Sequence, residues 1–176
     1  MNLSTVVESP RFANNTMRRL FTGWQLSGIL KLMSGPAFRV TSGADTTFTG
    51  TSDNGRANQV LADPYLPNKN KDGWLNINAF AVPTQTTGIC SPITLSCGYG
   101  TATEYRGPGL INLDVGLTRR FQIVESQSLE FRAEAFNAPN HVNPMNPSSA
   151  LNSQTFGKSV AAADPRIIQF ALKYVF

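Results

Sequence analysis

The residues best suited to chemistry are few and scattered. His141 is the only histidine of the 176-residue chain, and it sits in the polar stretch Asn140-His141-Val142-Asn143-Pro144. A Ser-His-Asp triad needs a base within hydrogen-bond reach of a nucleophile and a third group to orient it. Serines and aspartates abound, but no spacing singles out partners for His141. Asp45, Asp53, Asp63 and Asp72 lack the one-three-five spacing and following glycine of a calcium loop, and read as turn residues. Gly98-Tyr99-Gly100 and Gly107-Pro108-Gly109 are followed by no helical periodicity, so neither reads as a phosphate loop. Cys90 and Cys97 fall short of the four ligands of a structural zinc site. In an oxidising compartment they suit a small loop closed by a disulfide; in a reducing one they are two thiols. The sequence thus offers no catalytic residue, no metal and no cofactor site, and the expectation is a protein that is not an enzyme.

What does have regular spacing is aromatic and aliphatic. In the last eleven residues, Ile168, Phe170, Leu172, Tyr174 and Phe176 share one parity, and Gln169, Ala171 and Lys173 the other. A period of two predicts a β-strand with one strongly apolar face. Its length matches a transmembrane strand of roughly 9–11 residues with interfacial aromatics, and a strand packed on a soluble core fits as well. The same alternation runs through 21–41 (Trp24, Leu26, Gly28, Leu30 and Leu32, then Phe38 and Val40), predicting one long strand bent at Gly35-Pro36. It returns in 109–121 (Ile111, Leu113, Val115 and Leu117) and in 129–136 (Leu129, Phe131, Ala133 and Ala135). Leu3, Thr5 and Val7 suggest the end of a fifth strand, and Arg11 to Leu20 reads as a turn. Arg119 breaks the apolar parity beside Phe121. At mid-membrane that residue would cost roughly 2–4 kcal/mol, against about 0–1 near an interface.

Between these strands the pattern fails. Residues 42–108 and 137–164 are rich in Gly, Pro, Asn, Ser and Thr and read as long loops, with Asp53-Asn54-Gly55 as a turn. Charged residues are 15% of the chain, well below the roughly 25% of an average soluble protein. No run of about 18 apolar residues occurs, which excludes a transmembrane helix but not a barrel. The net charge of +4 is spread thinly, with Arg18-Arg19 and Arg119-Arg120 as the basic pairs; nucleic acid is not an expected partner. The first residues lack the basic and apolar regions of a signal peptide, so the chain is expected to be either cytoplasmic or the tail of a longer one. Two all-β architectures follow. A soluble sheet would bury its apolar face against a second layer, as in a small carbohydrate-binding or adhesion module using Trp74 and Tyr99. A barrel would turn that face to lipid. The alternation of short and very long connections favours the barrel, as does the gathering of Trp24, Phe121 and Phe131, with Tyr174 and Phe176, near the short ones as membrane-interface aromatics.

The wording of the chain adds to this. Gly23-Trp24-Gln25-Leu26-Ser27-Gly28-Ile29, Ser34-Gly35-Pro36-Ala37-Phe38, Arg106-Gly107-Pro108-Gly109 through Asp114, Leu129-Glu130-Phe131-Arg132-Ala133-Glu134-Ala135-Phe136-Asn137, Phe156-Gly157 and Asp164-Pro165-Arg166 through Phe176 together resemble the C-terminal barrel strands of TonB-dependent receptors of the Oar-like type. The resemblance runs from about Leu3 to Phe176. It implies an outer-membrane barrel of about 22 strands with a plugged lumen, energised by TonB, with the plug and first barrel strands lying outside this sequence. It also implies outer-membrane lipid as surroundings, the barrel-assembly machinery as a partner, and Phe170, Tyr174 and Phe176 as the signal that this machinery reads. The expectation for residues 1–176 is therefore an incomplete antiparallel barrel, with about four full strands and the end of a fifth. Short connections (9–20 and 122–128) would be periplasmic, and the loops 42–108 and 137–164 extracellular.

Overall fold

Strands form where the period-two alternation is strongest, and the chain returns to them after two long excursions. The structure, a computed structural model, describes residues 1–45, 55–83 and 102–176. Its elements in chain order are β1 (Asn2–Glu8), α1 (Asn15–Phe21), β2 (Trp24–Met33), β3 (Ala37–Arg39), β4 (Asn58–Gln59), β5 (Tyr65–Asn70), β6 (Gly73–Leu75), a 3-10 turn (Ile77–Ala79), β7 (Phe80–Ala81), β8 (Glu104–Arg106), β9 (Leu110–Val124), β10 (Gln127–Phe136) and β11 (Ile167–Val175). The chain divides into two compact units. One comprises Met1–Met33, Leu110–Asn143 and Asp164–Phe176; the other comprises Ser34–Gly109 and Pro144–Ala163.

The first unit is a five-stranded sheet in the order β1-β2-β9-β10-β11, antiparallel throughout. Spatial order follows chain order, so this is an up-and-down meander. The sheet does not close: among the described residues β1 pairs only with β2, and β11 only with β10. The fold is the expected all-β, incomplete antiparallel barrel. Its strands differ from expectation at their ends. The long strand expected over 21–41 stops at Met33, because Gly35 lies so close to Gly107 that a Cβ would come 1.8 Å from the Gly107 carbonyl oxygen, and Pro36 has no N–H for a ladder. The expected end of a fifth strand is a seven-residue strand, β1. Strand β9 runs on to Val124, and Glu125-Ser126 then forms a two-residue turn into β10. The turn expected over Arg11 to Leu20 holds the helix α1, capped by Asn14, whose Oδ1 accepts the N–H of Thr16 at 2.9 Å.

The second unit corrects the two expected loops. Residues from 42–108 and 137–164 are not separate loops. They build one unit with its own core of Val40, Ala57, Leu75, Ala79, Phe80, Ala102, Tyr105 and Phe156. The two segments are stitched by a parallel bridge between Thr41 and Ala150 and by hydrogen bonds from Trp74 N to Gly157 O and from Ser159 N to Lys71 O, both 2.7 Å. Tyr105 is the hub. Its ring lies 5.4 Å from Phe80, edge to face, and its hydroxyl donates to Gln59 Oε1 at 2.7 Å; burial pushes its pKa above the ordinary tyrosine value. Every buried hydrophobic residue among those described lies in this unit. The five-stranded sheet has no water-excluding core of its own.

Candidate functional site

The register decides what each face of the five-stranded sheet presents, since opposed residues on neighbouring strands point the same way. Leu3 faces Leu30, and Val7 faces Leu26. Leu26, Leu30 and Leu32 face Leu117, Leu113 and Ile111. Phe131 and Ala133 face Leu172 and Phe170. All of these lie on one face. On the other, Gln25 faces Thr118 and Lys31 faces Asn112, while Glu130 stands between Arg120 and Lys173. The apolar face is uncovered, with Phe170 73% and Leu172 66% exposed. Water-soluble proteins rarely leave an apolar patch larger than a few hundred Å² unpartnered.

The polar face is a cross-strand charge ladder. Glu130 accepts from Arg120 at 3.1 Å and from Arg132 at 3.0 Å. Arg132 lies 3.9 Å from Glu134, which in turn accepts from the Gln169 amide. Lys31 lies 3.8 Å from Asp114. Near the turn end a cleft of about 450 Å³ is lined by Glu8, Arg11, Arg120 and Glu130 together with Trp24 and Arg119.

The aromatics expected at a membrane interface converge at the short-turn end of the apolar face. Trp24 packs edge to face on Phe131 at 6.2 Å, and Phe131 stacks on Phe170 at 6.4 Å. The Arg119 guanidinium lies 5.2 Å from the Trp24 ring and 4.5 Å from that of Phe121. Its N–H groups donate to the carbonyls of Leu20 (2.6 Å) and Arg19, and Trp24 Nε1 also donates to the Leu20 carbonyl at 2.9 Å. The last carbonyls of α1 have no partner within the helix. Their partial negative charge draws the cation, and so Arg119 is tolerated on an apolar face. Tyr174 stacks on Phe176 at 6.1 Å, beyond the end of β11, where Phe176 is 90% exposed.

The remaining candidates are dispersed. His141 is tied into a turn: its backbone N–H donates to Asn137 Oδ1 at 2.9 Å, and its Nδ1 lies 3.1 Å from Asn143 Oδ1. Asp63 accepts the N–H of Tyr65 at 3.0 Å, as a turn residue does. Asp53, Cys90, Cys97 and Tyr99 lie outside the described residues. Trp74 is half-buried against the second unit's core, and its indole N–H donates to the Arg106 carbonyl at 2.9 Å. Three asparagines to which the sequence pattern assigns no role hold the far end of the sheet. Asn137 and Asn140 have φ of 48° and 55°; Asn137 N donates to Asp114 Oδ1 at 3.0 Å. Asn143 bridges the N–H and carbonyl of Ile111, both at 2.9 Å. For Asn137 and Asn140 the signal is the tolerance of Asn for the left-handed region, in a segment spelled Asn137-Ala138-Pro139-Asn140.

Residues 1–169 match the family model described as Outer membrane beta barrel domain. No curated protein and no solved structure matches the chain. The matched span takes in β1, β2, β9, β10 and the start of β11, so it includes nearly all of the face that lacks a core to cover it. The protein resides in the outer membrane. A match over this much of its length places the chain in the outer membrane beta barrel domain family.

Proposed function

We propose that the chain is the C-terminal barrel section of a TonB-dependent outer-membrane receptor of the Oar-like type, a transport and binding protein with no catalytic step. The observation that carries this reading is the five-stranded meander with two unpaired edges and no core. Closure of even a small barrel takes about eight strands, and an unpaired edge cannot face lipid. Further strands must therefore come from elsewhere, and the rest of a receptor would supply them. The charge ladder suits a polar lumen that holds a plug. Two of the motifs that carry the resemblance also meet in space within the second unit: Arg106 Nη1 donates to the Gly35 carbonyl at 3.2 Å, and Gly107 N to that of Pro36 at 3.1 Å. In this reading the partners are outer-membrane lipid, the barrel-assembly machinery acting on Phe170, Tyr174 and Phe176, the plug with the first barrel strands, and TonB through that plug.

The test uses outer membranes of cells that make the protein. An antibody against the chain should detect a polypeptide several times longer than 176 residues. The solubilised protein should bind the periplasmic domain of TonB in a pull-down, with an unrelated barrel as control. A mature outer-membrane species no longer than this chain, or a full-length one that TonB ignores, would refute the receptor assignment.

A further inference from the structure

Helix α1 is hydrogen-bonded to two residues of the sheet's apolar face, Trp24 and Arg119, which reach its last carbonyls. Seven residues are too few for a helix to persist alone in water, so these contacts hold it in place. Met17, Leu20 and Phe21 recur at i, i+3 and i+4 and thus share a flank; each is about half exposed, at 48%, 57% and 53%. Arg18 and Arg19, beside them, are exposed, and among the described residues neither forms an ion pair. An apolar flank with arginines beside it is the pattern of an element lying in a membrane interface.

We infer that α1 is an interfacial anchor whose Arg18 and Arg19 bind the phosphate groups of glycerophospholipids in the periplasmic leaflet. Trp24 and Arg119 hydrogen-bond its last carbonyls and belong to the aromatic cluster with Phe121 and Phe131, so the helix is tied to the belt expected at the interface. The guanidinium fork matches a phosphate in charge and shape. The leaflet follows from topology: α1 lies in one of the short connections, which barrels place on the periplasmic side, and there the lipids are phospholipids. The inference rests on the outer-membrane placement and is independent of the TonB-dependent reading.

The test uses the full-length protein in its native outer membrane. A benzophenone amino acid at position 17 is photoactivated in cells, and its adducts are identified by mass. Phospholipid adducts are expected. Adducts to lipopolysaccharide, to protein, or to no lipid would overturn the inference. Native mass spectrometry of the extracted protein with dioleoyl-phosphatidylglycerol as probe gives a second readout. The double variant Arg18→Gln/Arg19→Gln should bind this lipid about thirtyfold more weakly, at roughly fivefold per arginine, while Arg18→Lys/Arg19→Lys should keep most of the affinity. Equal binding by the glutamine variant would refute a phosphate role for these arginines. Heat-modifiable migration on gels establishes that each variant is folded, and the photo-adduct at position 17 tests the inference without altering either arginine.

Discussion

Arg119 is the side chain on which the short-turn end depends. It offers a charged donor to two carbonyls and a cation to two rings. Arg119→Gln should lower the stability of the detergent-extracted protein by about 1.5–3 kcal/mol, the value of a hydrogen bond involving a charged group, read as a lower urea midpoint. An unchanged midpoint would show that the contacts are incidental. Phe176 acts at another stage. If it belongs to the assembly signal, its deletion from the full-length protein should sharply lower the outer-membrane level and leave synthesis intact; normal insertion would rule that role out. Tyr105 gives a prediction on pH. Burial holds its pKa above the ordinary value, so the fold favours the neutral phenol. The stabilisation is complete below about pH 10, the unfolded-state pKa, and is lost as pH rises through the folded-state value. Alkaline titration followed by tyrosinate absorbance should show one late phase that Tyr105→Phe removes.

At the scale of elements, the sequence disclosed the strands of the large sheet and missed most of the second unit. Strands β9, β10 and β11 each carry four apolar residues at alternate positions in an unbroken run, enough for a period to emerge. The ladders of the second unit are two to six residues long and pair residues far apart, such as Asn58 with Ala81. No period can be read from two residues, so the stretch looked like loop. The interface cluster was half visible in the same way. Parity placed Trp24, Phe121 and Phe131 on one face, but the partners of Arg119 are backbone carbonyls 99 and 100 residues away, which no local pattern encodes. Gly35 was read as a bend. Its reason is the close approach of Gly107, and Gly35→Ala would drive a methyl group into backbone that cannot yield. That variant should cost more than about 3 kcal/mol, beyond the usual range of a point change, and limited proteolysis should show the second unit opening first. Wild-type protease resistance would contradict the tight approach.

For the molecule as a whole, the buried hydrophobic residues among those described lie in one unit, while the uncovered strand face with Phe170 and Leu172 lies in the other. Residues 1–176 expressed alone should therefore aggregate in plain buffer and become tractable in detergent, because both sheet edges and the apolar face lack partners. Analytical ultracentrifugation decides this. A monodisperse, cooperatively melting monomer without detergent would show that the sheet covers its face by some means of its own.

The contact of Arg119 with α1 also bears on how β2 and β9 find their alignment. Sliding one strand past the other by a single residue would turn leucines to the wrong side and be rejected at once. Sliding by two would cost less: two of the three leucines still meet aliphatic partners in either direction, Leu30 and Leu32 against Val115 and Leu113 one way, Leu26 and Leu30 against Val115 and Ile111 the other, so greasy alternation alone separates these alignments poorly. The shift would, however, carry the guanidinium about 7 Å along the strand, two residues at roughly 3.4 Å each, and strand it without its carbonyls. One cation at the end of the ladder thus identifies the single alignment that repetition along the strands leaves ambiguous.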